Sequence, residues 1–413
     1  MTSNVINKEI WGGAAEFDSL LAEIRCRRQE FEDQKYISQD IIERFKSIGV
    51  YRALVPKRFG GDEKSPAEFL QMVEAISAAD GSAGWVASFG VNPAYLACLP
   101  LETIEKVWAE TPDVVFAGGI FPPQPAKRVE GGFLVKGRWQ FGSGCMGASV
   151  CGVGIAPDDG QSLPRMAVMP QEKLTIEPAW DVIGMVGTGS HDLVVDNVLV
   201  PEEWTFTRGG KPNLNDPFFK YPSLAFATQV LSVTTLGLAR EAIDVVLGMA
   251  AGRKSVTGAP NLGEREYVQM EIARAEAKVR SSRAFFYEAT DDAWQVIQKG
   301  GTPSPEQVSM LRLASTNLTH ECAEAIRIAY QVSGMTGAYN DHPLSRIMRD
   351  SMMCTQHAFM GAITYKNAGA MLFEHQPLPG AVEQALSNAA KKDAGCTVYK
   401  PFDCYSDGDT VKN

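Results

Sequence analysis

The side chains that most often carry out chemistry are sparse in this sequence. The 413 residues include five histidines and eight cysteines, with neither a Cys-x-x-Cys pair nor a Cys/His set of zinc-finger spacing. Cys145 and Cys151 lie closest together, among glycines. The pattern predicts no metal site. It also predicts reduced thiols in a reducing compartment, the cytoplasm, rather than a disulfide framework.

Two positions stand out as candidates for catalysis. Ser143 lies in a Gly-Ser-Gly-Cys run at 142–145, and His357 lies in a Gln-His-Ala-Phe run at 356–359. Histidine is the one side chain whose unperturbed pKa lies near neutral pH, so His357 is a candidate for proton handling. Taken alone, Ser143 is better explained as an ordinary turn residue, and His357 is equally well explained as a core histidine.

Composition excludes several classes of protein. A net charge of -10 argues against a nucleic-acid partner, because a binding face for phosphates must be basic. With 45% hydrophobic and 21% charged residues, the bulk of the chain is predicted to fold. No window has the apolar length of a membrane span, and Met1–Ile10 lacks the pattern of a signal peptide.

Periodicity divides the chain into a mainly α fold with a central β domain. Capping boxes with proline at the first helical position begin at Ser65 and Ser304, and Pro93 must interrupt the helix that begins near Trp85. Short β-type runs fill the middle of the chain. The predicted units are a helical domain (1–112), a β domain (113–210), a four-helix bundle (211–378) and a tail (379–413).

This order of domains resembles the acyl-CoA dehydrogenase superfamily. Three stretches carry the resemblance: the Gly-Gly-Phe to Gly-Ser-Gly segment 131–144, the glycine-rich segment 184–201, and the Gln-Val-Ser-Gly-Met-Thr-Gly turn 331–337 with Arg349-Asp350 after it. Each motif alone is weak, but their order and spacing are specific. The resemblance implies an acyl-CoA dehydrogenase fold, whose β domain is an antiparallel barrel or sandwich.

The segment after Arg349-Asp350 decides the branch. Common acyl-CoA dehydrogenases have a glutamate there to remove a proton from the thioester, but this chain has no acid and instead has His357. The run 356–359 is similar to the histidine motif of the flavin hydroxylases in this superfamily. That branch implies a two-component monooxygenase, which takes reduced FAD or FMN from an NAD(P)H flavin reductase and uses O2 through a C4a-hydroperoxide. It also implies a homotetramer.

The resemblance further implies roles for individual residues. In the flavin hydroxylases, the serine matching Ser143 lies beside the reactive edge of the flavin, and the histidine matching His357 lies over the ring. These two residues, with Asn92, are the predicted catalytic groups. The other predicted flavin contacts are Trp85, Trp139, Phe141, Thr188, Ser190, Arg253, Lys254, Gly334 and Arg349.

The substrate prediction comes from a departure from the phenol hydroxylases of this branch. The histidine and serine that grip a phenol oxygen there are missing from segments 90–95 and 117–120, where the serine position falls on Gly119. A neutral, electron-rich ring such as indole needs no such base. The predicted substrate is therefore indole or a derivative, with one hydrogen bond from Asn92 or Tyr95. The predicted pocket residues are Asn92, Tyr95, Gly119, Ile120 and His357.

Two other functions remain open from the sequence alone. An acyl-CoA dehydrogenase with a displaced base would hold oxidised FAD tightly and be bleached by an acyl-CoA. A non-enzymatic relative would bind no reduced flavin, and substitution of Ser143 or His357 would change nothing measurable.

Overall fold

The computed structural model describes residues 13–157, 165–250 and 260–373. Six helices form the N-terminal part, and five more follow the sheet. The helices are α1 (Ala14–Gln34), α2 (Gln39–Ser47), α3 (Pro66–Ala79), α4 (Gly81–Ala87), α5 (Pro93–Leu96), α6 (Leu101–Val107), α7 (Ser223–Ala250), α8 (Glu266–Gln298), α9 (Pro305–Val332), α10 (Pro343–Thr355) and α11 (Ile363–Leu372). No described helix combines the length and apolarity needed to cross a bilayer.

The capping chemistry read from the sequence is confirmed. The Ser65 hydroxyl accepts from the Glu68 N–H at the start of α3, and the Ser304 hydroxyl does the same for Gln307 at the start of α9. Pro93 interrupts its helix as predicted, since α4 ends at Ala87 and a short 3-10 turn precedes α5. Each cap supplies an acceptor for an N–H that has no partner within its helix.

Seven strands form one sheet between the helical parts. They are β1 (Phe116–Val129), β2 (Gly132–Gly142), β3 (Val150–Pro157), β4 (Arg165–Pro170), β5 (Thr175–Glu177), β6 (His191–Pro201) and β7 (Thr205–Thr207). Their order is β5-β6-β2-β1-β3-β4-β7. The β-type runs predicted from the sequence, at 133–137, 150–155, 166–169 and 193–200, lie within β2, β3, β4 and β6.

The fold class is confirmed, and one detail of the sheet differs from the antiparallel expectation. Strands β1 and β3 pair in parallel, while the other neighbours are antiparallel. The reason is the chain path. β2 returns along β1 through a tight turn, and the chain then reverses again and places β3 on the free edge of β1. A strand reached after two reversals runs in the original direction.

Long helices pack against each other and against the N-terminal part. Helices α7, α8 and α9 share an apolar core that continues through α3 and part of the sheet. A buried ion pair between Glu74 of α3 and Arg283 of α8 (2.8 Å) joins the two helical parts, and the Tyr287 hydroxyl donates to the same carboxylate at 2.7 Å. The domain boundaries at 112, 210 and 378 stay predictions.

Candidate active site

One half of the candidate site consists of two turns at the end of strands β2 and β6. We call residues 142–145 the β2 turn and residues 185–190 the β6 turn. The strands are paired there, and the Gly144 N–H donates to the Thr188 carbonyl at 2.8 Å, which joins one turn to the other. Two of the stretches that carry the family resemblance, 131–144 and 184–201, therefore lie side by side.

A chain of buried hydroxyl groups connects the two turns. Ser143 Oγ lies 2.6 Å from Ser190 Oγ, and Ser190 Oγ lies 2.7 Å from Thr188 Oγ1. Thr188 Oγ1 donates to the Met185 carbonyl at 2.8 Å. All three hydroxyl residues are buried, and Ser143 ends the chain. Thr188 and Ser190 thus stand behind Ser143.

The other half of the site is an aromatic cluster around His357. The residue follows the end of α10, and its ring lies 5.8 Å from the Trp85 ring and 4.8 Å from the Phe359 ring, both edge to face. Nδ1 accepts from the Phe359 N–H at 3.2 Å. A neutral imidazole that accepts at Nδ1 carries its hydrogen on Nε2, so His357 presents an N–H donor.

Burial changes the expected protonation of His357. Loss of solvent around the ring lowers its pKa to about 4, because a desolvated imidazolium is disfavoured. The sequence-based expectation of titration near neutral pH is therefore wrong: the ring stays neutral at pH 7. His357 supplies a fixed hydrogen-bond donor rather than a charge that switches.

Helix α4 brings the two halves together. Trp85 on this helix contacts His357, and its neighbour Val86 lies beneath the β2 turn: a Cβ built on Gly144 would be 3.6 Å from Val86 Cγ1. The β6 turn touches the same helix, where a Cβ on Gly187 would meet Ser82 at 3.0 Å. Motifs far apart in sequence are thus gathered on one short helix.

The two predicted aromatic contacts of the β2 segment have different environments. Phe141 is 62% exposed, adopts a positive φ of 63° that a bulky residue rarely takes, and packs edge to face on Trp180. Trp139 is fully buried in the sheet core, where its indole N–H donates to the Gly154 carbonyl at 2.7 Å. Trp139 therefore supports the turn from within the sheet, and the structure does not support its predicted contact with the flavin.

The predicted substrate-pocket residues also lie in different environments. Asn92 is fully buried, its Nδ2 donates to the Val114 carbonyl at 3.0 Å, and its Oδ1 has no donor among the described residues. Half-buried Ile120 packs on the same apolar core as Trp85 and Phe359.

Gly119 does not line an open pocket. A Cβ there would lie 2.9 Å from the Trp139 Cβ and 3.0 Å from the Gln140 carbonyl. Its strand conformation is ordinary, so the close approach of β1 to β2, rather than a positive φ, requires the glycine.

Tyr95 has an unpredicted neighbour. The guanidinium carbon of Arg208 lies 3.7 Å from the centre of the Tyr95 ring, and within the described part of the chain no carboxylate pairs with Arg208. A cation over an aromatic face is attracted by the ring. Arg208 lies outside the three resemblance motifs, so no sequence pattern identified it.

Two further predicted flavin contacts lie before and within α10. Gly334, at φ 62°, lies before α10, and His357 lies after it. About 20 Å of helix separates them. Arg349 donates to the Ile183 carbonyl, to Ser345 and to Glu32. These bonds fasten α10 to its neighbours, and the contact of Arg349 with the flavin stays a prediction. Arg253 and Lys254 lie outside the described residues.

A buried carboxylate behind the β6 turn was missed by sequence reasoning. Asp350 accepts from the Met185 N–H, and burial together with the nearby charge of Asp80 raises its pKa to about 7. The two acids line a cavity of about 10 Å³, room for roughly one water molecule. The Arg349-Asp350 pair was noted only as a family marker, although its acid holds the turn.

These features fit a flat heteroaromatic ring with a polar edge. Trp85 and Phe359 are half-buried, Phe141 is exposed, and Ser143 Oγ receives no hydrogen bond from a described N–H. Large aromatic faces suit a ring system, and a buried hydroxyl with free lone pairs suits a donor at its edge. Among the described residues there is no cluster of side chains that could hold a metal ion.

Comparisons with known proteins agree with this geometry. Residues 229–362 match the model of the acyl-CoA dehydrogenase C-terminal domain. The chain is 58% identical to an indole-3-acetate monooxygenase of Pseudomonas putida, over 88% of this chain and 95% of that protein. It is 32% identical to the oxygenase component of an FADH2-dependent resorcinol hydroxylase of Rhizobium sp. strain MTP-10005, over 62% and 66% of the two chains.

A solved structure matches almost the whole fold. The crystal structure of the 3-HSA hydroxylase from Rhodococcus sp. RHA1 superposes with a TM-score of 0.83 at 27% identity, covering 89% of this chain and 98% of that one. Neither alternative function is favoured by these relatives. The chain belongs to the two-component flavin-dependent monooxygenases built on the acyl-CoA dehydrogenase fold, and it is an oxygenase component.

Proposed function

We propose that this oxygenase inserts one atom of O2 into the ring of indole-3-acetate or a closely related indole acid. The main support is the 58% identity to the indole-3-acetate monooxygenase over nearly its full length. Two unsatisfied polar groups on the substrate side of the site support the same choice. They are the Oδ1 atom of Asn92 and the guanidinium of Arg208.

Asn92 suits the indole N–H. Its amide nitrogen is already committed to the Val114 carbonyl, which fixes the orientation of the amide and leaves Oδ1 as an acceptor only. A buried acceptor without a donor costs roughly 1–3 kcal/mol. A ligand N–H that reaches this atom recovers that cost, whereas a phenol oxygen without its proton is repelled.

Arg208 suits the acetate group. It lies over Tyr95, one helical turn along α5 from Asn92, so the two polar groups flank the same helix. A guanidinium without a carboxylate partner in the described chain is a ready anion site. Indole-3-acetate carries one N–H donor and one carboxylate, both attached to its pyrrole ring, which matches these two groups in kind.

The cofactor-side roles follow from the residues that stand around Ser143. Bound reduced flavin would supply the electrons that activate O2, and O2 would supply the oxygen atom that is transferred. Ser143 holds the polar edge of the ring, with Thr188 and Ser190 behind it. Trp85 and Phe141 cover its faces, and His357 donates a hydrogen bond from Nε2. The apolar lining excludes water that would otherwise divert oxygen to peroxide.

We also propose a cofactor, a partner protein and an oligomeric state for this oxygenase. Reduced FAD is favoured over FMN because the resorcinol hydroxylase relative is FADH2-dependent, and a separate NAD(P)H flavin reductase supplies it in the cytoplasm. A homotetramer packed through the helical bundles is supported by strongly exposed apolar side chains there, namely Met335, Tyr339, Leu372 and Phe373. Light scattering of the purified protein measures the oligomer.

Oxygen labelling tests the proposal. The protein is supplied with reduced FAD or FMN, ¹⁸O2 and separate substrates, namely indole-3-acetate, indole, phenols and acyl-CoAs, and the products are analysed by mass spectrometry. We expect one labelled oxygen in the product of indole-3-acetate and none from labelled water. Label absent from every product overturns the oxygenase function, and label found only in phenols overturns the indole proposal.

A further inference from the structure

The chain of hydroxyls behind Ser143 has a direction. Three oxygen–oxygen contacts of 2.6, 2.7 and 2.8 Å run from Ser143 through Ser190 and Thr188 to the Met185 carbonyl. Each contact at this distance needs one hydrogen between its two oxygens. The chain holds three hydroxyl hydrogens, one for each contact.

The last oxygen sets the direction of all three bonds. A carbonyl cannot donate, so Thr188 must donate to Met185. Thr188 then has no hydrogen left for Ser190, which must donate to Thr188, and Ser143 in turn must donate to Ser190. Ser143 Oγ is left with lone pairs and no hydrogen for a ligand.

We infer that the Met185 carbonyl, acting through Thr188 and Ser190, fixes Ser143 as a hydrogen-bond acceptor and thereby makes the site select reduced over oxidised flavin. Reduced flavin carries a hydrogen on N5, while oxidised flavin has a lone pair there. An acceptor facing N5 stabilises the first and repels the second. Thr188 and Ser190 are positioning residues, and the inference rests on the proposed contact between Ser143 and the flavin edge.

The Met185 carbonyl is held firmly enough to impose this direction. Trp180 Nε1 donates to the same oxygen at 3.1 Å, and the Met185 N–H is bound by Asp350 on α10. Met185 itself adopts a positive φ of 53°. A carbonyl fixed on both sides cannot rotate away, and the paired β2 and β6 turns hold Ser143 opposite it.

The experiment compares binding of FAD in its two redox states. Dissociation constants are measured anaerobically for oxidised and dithionite-reduced FAD with the wild type, Thr188→Val, Thr188→Ser and Ser190→Ala. Valine preserves the shape of threonine but breaks the chain, so the Ser190 hydrogen can turn to Ser143 and Ser143 can donate outward. We expect the preference for reduced FAD to fall about 10- to 100-fold in Thr188→Val and in Ser190→Ala.

Controls separate this effect from general damage. Thr188→Ser keeps the hydroxyl and should retain the wild-type preference. Thr319→Val removes a buried hydroxyl that donates to the Ser315 carbonyl within α9 and does not belong to the hydroxyl chain, and it should also leave the preference unchanged. The potential of bound FAD gives a second readout, because a tenfold change in the ratio of affinities shifts a two-electron couple by about 30 mV.

Two outcomes would overturn different claims. If the wild type prefers reduced FAD and both chain-breaking variants keep the full preference, the directional chain has no role. If the wild type binds oxidised and reduced FAD equally, the proposed reduced-flavin site at Ser143 fails first. Should Thr188→Val fail to fold, Ser190→Ala decides the matter alone.

Discussion

The active site can also be divided into a flavin side and a substrate side, and these two halves use their polar atoms in opposite ways. On the flavin side, Ser143, Ser190 and Thr188 are each hydrogen-bonded to another protein atom, and the direction of the bonds is fixed by a carbonyl. On the substrate side, Asn92 Oδ1 and the Arg208 guanidinium have no hydrogen-bond or ion-pair partner in the described chain. One half is preset before a ligand arrives, and the other half is completed by its ligand.

This difference follows from what each half must do. A hydroxyl that recognises one redox state of a cofactor must not reorient. It is held in place when its hydrogen is already donated to another protein atom. An unpaired polar atom in a binding site costs free energy. It contributes most to substrate specificity when only the correct ligand supplies its missing hydrogen-bond partner. The predictions below act on one half at a time.

The largest effect is expected on the flavin side. Ser143→Ala removes the acceptor at the polar edge, and we expect product formation to fall about 100-fold with most of the oxygen released as hydrogen peroxide. Stopped-flow kinetics and a peroxide assay measure both. Ser351→Ala, which removes a buried hydroxyl that donates to the Met348 carbonyl in α10, is the control. Normal coupling in Ser143→Ala would contradict the role of this residue.

The next largest effect is expected when the charge of Arg208 on the substrate side is removed. Arg208→Gln should raise the KM for indole-3-acetate about 10- to 100-fold and leave the KM for indole itself unchanged, since indole has no carboxylate. Arg128→Gln is the matched control, because Arg128 also stacks on an aromatic ring, Phe133, but pairs with Glu202. Equal losses with both substrates would show that Arg208 acts only on the fold.

Substitution of Asn92 should remove one hydrogen bond to indole-3-acetate, the bond from its indole N–H. The wild type is expected to prefer indole-3-acetate over its 1-methyl derivative about tenfold in kcat/KM, because methylation removes the N–H that Oδ1 accepts. Asn92→Leu should abolish this preference. The ratio between two substrates is insensitive to a general loss of stability, so a preference that survives in the variant would remove Asn92 from substrate recognition.

The smallest effect concerns the pH dependence at His357. With its pKa lowered to about 4 by burial, the ring stays neutral from pH 5.5 to 8.5, and protonation begins only as the pH approaches 4. His357→Gln should therefore reduce kcat, about tenfold, without changing the shape of the pH profile in that range. A limb near pH 6.5 in the wild type that disappears in the variant would contradict the neutral assignment.

Local patterns in the sequence predicted the elements well, and they predicted the environments of individual side chains poorly. The capping boxes at Ser65 and Ser304 depend on residues three positions apart, so the local sequence is sufficient to identify them. Trp139 was misplaced because strand alternation shows that faces differ but does not show which face is covered. The bonds of Arg349 to Ile183 and Glu32 could not be predicted, because these partners are remote in sequence.

The candidate site could be predicted only in part, again because its contacts join residues that are remote in sequence. Family register identified Ser143 and His357, but their meeting on α4 depends on the packing of three remote segments. The lowered pKa of His357 is a consequence of burial, and no local pattern reports burial of a turn residue. Arg208 lies outside every motif. The Met185 carbonyl lies within segment 184–201, but a side-chain pattern does not report the orientation of a backbone atom, so only the fold could reveal both groups.

The most direct measurement is a crystal structure of the protein with reduced FAD and indole-3-acetate, prepared anaerobically. We expect the flavin N5 to lie within hydrogen-bond distance, about 3 Å, of Ser143 Oγ, the indole N–H on Asn92 Oδ1 and the carboxylate on Arg208. A flavin ring bound with Ser143 out of hydrogen-bond reach would contradict the proposed site. A substrate turned away from both Asn92 and Arg208 would contradict the division of the site into a preset half and a half that the ligand completes.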